Sequence, residues 1–326
     1  MILSFAARLV CVAVVITGLI HIALELLLWL TAPFVLRRSE ALPARLRERL
    51  LYILQLVPIL AGVTLGWAVG IPRYIGSESN HDAESVGWMC VAGAIGFGIW
   101  YCSALLRGLA VAGRTLLFAR RCRKVSTPVS FARASTPVLS YPGKAYSVAL
   151  VGLFRPFILI SDGLLGEGGF SASAMEVVLE HETSHATHRD NWKLFSLCCV
   201  PRLGLRLGNG RTWTDLWRAA AEWAADDDAV RGDRARVLVL AETLLSVARH
   251  GAQPARRVCM ALECDQQDLV ARVGRLLDRP KQTALPESRG AICAVMVGAV
   301  AFVGATVGLL LSSHELLERM LHLGQG

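Results

Sequence analysis

Apolar residues along this chain fall into four long runs, at about residues 5–36, 50–71, 86–106 and 290–312. A bilayer's hydrocarbon core, ~30 Å thick, is crossed by about 20 apolar helical residues. Each run is therefore long enough to predict a membrane-spanning helix. The first lacks the basic start and small-residue cleavage site of a removed signal peptide. Pro58 interrupts the second, which a membrane helix tolerates. Gly93, Gly96 and Gly98 make the third rich in small residues and predict close helix packing there. A long polar region, about 120–288, separates the third run from the fourth and has the size of one globular domain.

The expected fold class is an α-helical membrane protein with four transmembrane helices plus a mainly helical α+β domain containing a small β-sheet. Residues 1–119 hold three spans and a basic extension, 120–288 the globular domain, and 289–326 the fourth span with a short tail. Around Arg155-Pro156, the segment from Ala145 to Ile160 is rich in Val, Leu, Ile and Phe and predicts two short strands. An edge strand there is either an ordinary core element or a rail for an extended peptide.

Arginine placement sets the orientation. The first loop carries Arg37, Arg38, Arg45, Arg47 and Arg49; the second has Arg73 against Glu78, Asp82 and Glu84. After the third run come Arg107, Arg114, Arg120, Arg121, Arg123 and Lys124. The expectation is a multi-pass protein of a bacterial plasma membrane, N-terminus outside, globular domain cytoplasmic and C-terminal tail outside. The net charge of +8 then points to membrane lipid as a partner. No helix-turn-helix, zinc-finger or RNP-like pattern is present, so direct nucleic-acid binding is not expected. Nine scattered cysteines, with no CxxC, read as free thiols in a reducing compartment. His21 and Glu25, one turn apart in the first run, are expected to face the bundle interior and satisfy each other, although ionisable groups in a span are also functional candidates.

The polar region holds the chemistry. His181-Glu182-Thr183-Ser184-His185 sits in a segment free of Pro and Gly up to Trp192, with Ser173 and Glu176 spaced as a capping box. At 100° per residue, His181 and His185 stand about 40° apart on one helix face, so both imidazoles reach one tetrahedral zinc. Glu182 falls beside that face, placed to take a proton from water rather than to ligate. For 8 His and 26 acids in 326 residues, chance gives such a pattern roughly 1.5% of the time, so the motif needs support.

Catalytic zinc takes three protein ligands. His188 lies two turns, ~10 Å, beyond His181, too far to share one ion, and reads as a cleft-edge or surface residue. Glu222 is the better third ligand. It lies in an alanine-rich helix over 214–230 that ends near Gly232. Asp226, one turn on, is placed to accept a ligand histidine's free ring N–H. Asp227 and Asp228 read as a solvated acidic stretch.

HExxH followed by Arg189-Asp190-Asn191, and then by a helix with Glu222-x-x-x-Asp226, resembles the membrane metallopeptidases of the BlaR/MecR antirepressor type, relatives of HtpX-like gluzincins and CAAX prenyl proteases. The strand segment from Gly152 to Leu165 and the helix from Asp268 to Leu277 resemble the elements flanking that family's site. The resemblance implies a zincin-like domain with Zn2+ on His181, His185 and Glu222, Glu182 as base and Asp226 behind a ligand. It implies endopeptidase activity on a protein or peptide substrate, cytoplasmic or membrane-proximal, such as a transcriptional repressor in a signalling pathway. Thr183 departs from the apolar residue usual in the family. The chain ends soon after the fourth run, without the penicillin-binding sensor domain, so β-lactam sensing is not expected. A catalytically silent signalling protein on the same fold is the alternative; a small transporter has weaker support.

Overall fold

The computed structural model describes residues 4–72, 87–132, 134–143, 146–166, 168–250 and 266–278. The fourth apolar run and the tail lie outside the described residues.

Among the described residues, three helices are long and apolar enough to cross a membrane: α1 (Phe5–Glu40), α2 (Ala44–Leu65, continued by a π-helical turn at Gly66–Gly70) and α3 (Trp88–Val125). Their flanks are bare: on α3, Trp88, Ile99 and Leu106 are each about two-thirds exposed. So large an uncovered apolar surface suits lipid, not water. Of the close packing expected at Gly93, Gly96 and Gly98, Gly93 shows it, since a Cβ there would lie 3.4 Å from Val15 of α1, and the other two do not. A Cβ added at Gly96 or Gly98 would have no neighbour within 4 Å among the described residues, whereas Gly62 and Gly66 of α2 press on Thr17 of α1. The reason is helix phase, because α1 and α2 meet along the Thr17 face.

All three helices outrun the length that a bilayer needs, and the surplus enters the globular part. Leu28 and Ala32 of α1 and Leu51 of α2 share one core with Leu194, Leu197, Trp213 and Trp217. The expected boundary at residue 120 falls inside α3, whose last turns put Ala119 and Cys122 against Phe157 and Val151. Gly108 lets α3 approach a later helix, since a Cβ there would collide with Cys199 Sγ.

A four-stranded mixed sheet follows: β1 (Thr127–Val129), β2 (Val138–Tyr141), β3 (Val148–Val151) and β4 (Phe157–Ser161), in the order β1-β2-β4-β3. The two strands expected near Arg155-Pro156 are β3 and β4, paired antiparallel from Val151–Phe157 to Val148–Ile160. β4 is buried at every position, as expected of a central strand covered on both faces. One face meets α3; the other meets Met175 and Leu179 of α4 (Ala172–Thr187).

Four more helices complete the described part: α5 (Asp190–Cys199), α6 (Trp213–Val230), α7 (Arg234–His250) and α8 (Gln266–Leu277). α4 carries the HExxH motif. Its N-cap is Ser171, whose Oγ accepts from Ala174 N at 3.2 Å, and not Ser173, which bonds Ser171 instead. α6 opens with a capping box at Thr212 and Asp215 and stops where Arg231 turns left-handed. The uninterrupted helix expected up to Trp192 is broken: Arg189 adopts φ 54° between α4 and α5. Asn191, just past the break, donates to Gly152 O at 2.8 Å and ties the new helix to the end of β3.

Candidate metal centre

His181 and His185 lie one turn apart on α4, and Glu222 faces them from α6. The two imidazole Nε2 atoms are 3.2 Å apart. Glu222 Oε2 is 3.4 Å from His181 Nε2, and Oε1 is 3.5 Å from His185 Nε2. A tetrahedral ion with bonds of about 2.0–2.1 Å separates its ligand atoms by about 3.3–3.4 Å. The two Glu222 contacts are made by different oxygens; with one ligand atom from each residue, the three atoms lie within 4.8 Å of one another, and these residues form a cluster able to hold a metal ion. Two imidazoles disfavour Mg2+ and Ca2+, which prefer all-oxygen sites.

Each histidine is backed by a carboxylate. His181 Nδ1 lies 3.0 Å from Asp226 Oδ1, close but off-line for a hydrogen bond. His185 Nδ1 bonds Asp190 Oδ2 at 2.8 Å. Asp190 owes this position to the break at Arg189: on a continuous helix it would point about 140° away from His185. Such backing fixes a ligand ring's tautomer and orientation.

Arg272 of α8 closes the far side. Its Nη1 is 2.6 Å from Glu222 Oε2, and its Nη2 and Nε hold Asp226 at 2.6 and 2.9 Å. One guanidinium thus neutralises a candidate ligand and the carboxylate behind another, leaving Glu222 Oε1 toward His185. Burial would raise the pKa of Glu222, but Arg272 and the histidines outweigh it and hold the carboxyl down at about 2. The same balance, with Arg272 again foremost, drives Asp226 below the usual carboxylate range. Burial would lower His181, but Asp226 and Glu222 outweigh it and raise the ring to about 10. The pocket is therefore built to hold positive charge.

That charge is a proton until a metal replaces it, so zinc affinity should climb with pH. From the ordinary histidine value of 6.5 to about pH 8, the dissociation constant is expected to fall ~tenfold per unit, as one proton is displaced per ion. Chelator competition measures this, and a flat profile would contradict it. Without metal, His181 stabilises the fold fully below pH 6.5 and loses that contribution as pH rises through about 10. Glu222 does the opposite: its contribution is present above 4.5 and lost as pH falls through about 2.

Glu182 is half-buried on α4 beside His181. His188 stays outside the cluster, 3.4 Å from Asp228. The solvated stretch expected at Asp227 and Asp228 is found only in part: Asp228 is exposed and Asp227 is half-buried, and both are paired. Arg275 grips Asp227 with two bonds of 2.7 and 2.8 Å, and Asp228 accepts from Ser184 and Arg45. The reason is that α8 and α2 bring arginines across that face of α6. His21 and Glu25 are 3.9 Å apart, yet their closer partners are Tyr101 Oη and the Leu203 N–H. A cavity of about 560 Å³, lined by Phe131, Met175, Thr183 and His188, lies round α4 from the metal face and belongs to no part of the cluster.

No family model matches the chain, and no curated protein matches it. The metal centre rests on its own geometry.

Proposed function

We propose that this chain is a membrane-anchored zinc endopeptidase of the BlaR/MecR-like type, with its site on the cytoplasmic side. The observation that carries the reading is the cluster of His181, His185 and Glu222, with one ligand atom from each all within 4.8 Å of one another, two of them on the helix that also presents Glu182. Zinc, when bound, supplies Lewis acidity toward a peptide carbonyl and makes water easier to deprotonate. Glu182 takes the proton from the attacking water and delivers it to the leaving amine. Asp226 and Asp190 keep both rings aimed with Nε2 inward. Arg272 holds Glu222 in place and keeps it ionised. β3, the edge strand of the sheet beside α4, offers backbone groups to an extended substrate segment.

The orientation rests on the arginine bias, which puts the globular part on the side of Arg37, Arg38 and Arg120–Lys124. A cytoplasmic repressor or a membrane protein near the bilayer surface is the substrate class that this placement favours.

The test compares newly formed protein N-termini in cells carrying the wild-type chain or Glu182→Gln. Cleavage products present only with the wild type, and lost on zinc chelation in membranes, are expected. Identical N-termini in both strains would favour the catalytically silent signalling protein instead.

A further inference from the structure

Glu48 lies on the second turn of α2, fully buried. A buried carboxylate is unfavourable unless it is paired, and its pairing here leads to the metal centre. Its Oε1 accepts from Lys193 Nζ at 2.9 Å and from Trp217 Nε1 at 2.8 Å. Lys193 belongs to α5 and Trp217 to α6, so one oxygen ties α2 to the helices that carry Asp190 and Glu222. Lys193 Nζ also donates to Asp190 Oδ1 at 2.9 Å, and Asp190 Oδ2 bonds His185 Nδ1 at 2.8 Å. An unbroken line runs Glu48–Lys193–Asp190–His185, from a membrane helix to a metal ligand. One turn earlier, Arg45 reaches Ser184, the residue before His185, at 2.9 Å.

We propose that Glu48 is a positioning residue for the metal centre, acting on His185 through Lys193 and Asp190, so that the seating of α2 sets the affinity of the site for metal. The inference rests on reading His181, His185 and Glu222 as ligands. The physical reason is charge sharing. Lys193 has one positive charge between two carboxylates. While Glu48 takes part of it, Asp190 keeps its pull on the His185 ring. Neutralising Glu48 turns Lys193 wholly onto Asp190, which then holds His185 less firmly and leaves it a poorer donor. Removing Lys193 has the opposite effect, because Asp190 then serves His185 alone. A movement of α2 that withdraws Glu48 would loosen the metal in the same way as the neutral variant.

The opposite signs separate positioning from bulk stability. The full chain in detergent micelles is titrated with zinc against a chelator, alongside thermal unfolding, for the wild type, Glu48→Gln and Lys193→Met. Glu48→Gln is expected to weaken zinc about tenfold, the low end for groups that act behind a ligand. Lys193→Met is expected to bind zinc at least as tightly as the wild type, even though it takes away the closest cation from Glu48, leaving the Trp217 N–H and Arg45 at 3.9 Å, and lowers the melting temperature. If Glu48→Gln fails to fold, Lys193→Met carries the test alone, because a merely structural link predicts weaker zinc there. Zinc loss in both variants in step with melting temperature would overturn the inference, as would unchanged affinity in a folded Glu48→Gln. A wild-type chain that takes up no zinc would overturn the metal-site reading itself and this inference with it.

Discussion

Replacing Glu182 with Gln is expected to abolish peptide cleavage while zinc stays bound. The side chain sits on α4 next to His181 but points off the face that His181 and His185 share, so the ligand triangle survives its neutralisation. What is lost is the proton transfer. Gln has nearly the same shape and can still donate and accept hydrogen bonds, but it cannot take a proton from water. General acid–base assistance contributes about 10²–10⁴-fold, or roughly 3–5.5 kcal/mol of barrier. In the proposed mechanism the same carboxylate serves both attack and departure, so the upper end is expected. The check pairs steady-state cleavage of an unfolded protein substrate with zinc content. Residual cleavage within tenfold of wild type would remove Glu182 from its role.

The second large effect is at Glu222. Replacement by Ala takes away the only carboxylate of the triangle and also strips Arg272 of one partner at 2.6 Å. Arg272 then keeps only Asp226 as its carboxylate partner here, and the side of the pocket toward the two Nε2 atoms loses its negative charge, so a divalent ion entering it is held less firmly. Groups that merely support a ligand cost 10–100-fold in affinity when changed, so loss of a ligand together with its negative charge should exceed about 100-fold. The variant is expected to lose zinc on dialysis, and His181 to lose part of the attraction that raises its pKa. Asp226 still pairs with Arg272 through two bonds, so α6 and α8 stay joined and the helical content is expected to persist. Retention of stoichiometric zinc would place the third ligand elsewhere.

The candidate ligands are readable in the chain because helical periodicity alone aligns His181 with His185 and Glu222 with Asp226. Local spacing cannot show which distant residue meets them. Arg272, Asp190 and Glu48 complete the site by contacts between separate helices. Arg272 lies in a segment that stands out only by resemblance, and Glu48 among arginines that speak to topology. Asp190 is hidden as long as the helix is taken to be continuous. The left-handed turn at Arg189 has no glycine to announce it, and the tie that favours it, Asn191 to Gly152, spans 39 residues. The apolar runs are long enough for spans, but their excess over about 20 residues has a meaning that hydropathy does not carry. Leu28, Ala32 and Leu51 are buried in one core with Leu194, Trp213 and Trp217, tertiary partners no window average contains. Small residues mislead for a similar reason: Gly96 and Gly98 lie on the uncovered flank of α3, while Gly62 and Gly66 meet α1.

The central claim is that His181, His185 and Glu222 hold one zinc ion. X-ray absorption at the zinc edge, on the full chain purified in detergent, tests it most directly. The expected spectrum shows one zinc per chain with only nitrogen and oxygen neighbours at about 2.0–2.1 Å and the multiple scattering of two imidazoles. A spectrum with sulfur at about 2.3 Å, with a different number of imidazoles, or with no stoichiometric zinc at all would contradict it.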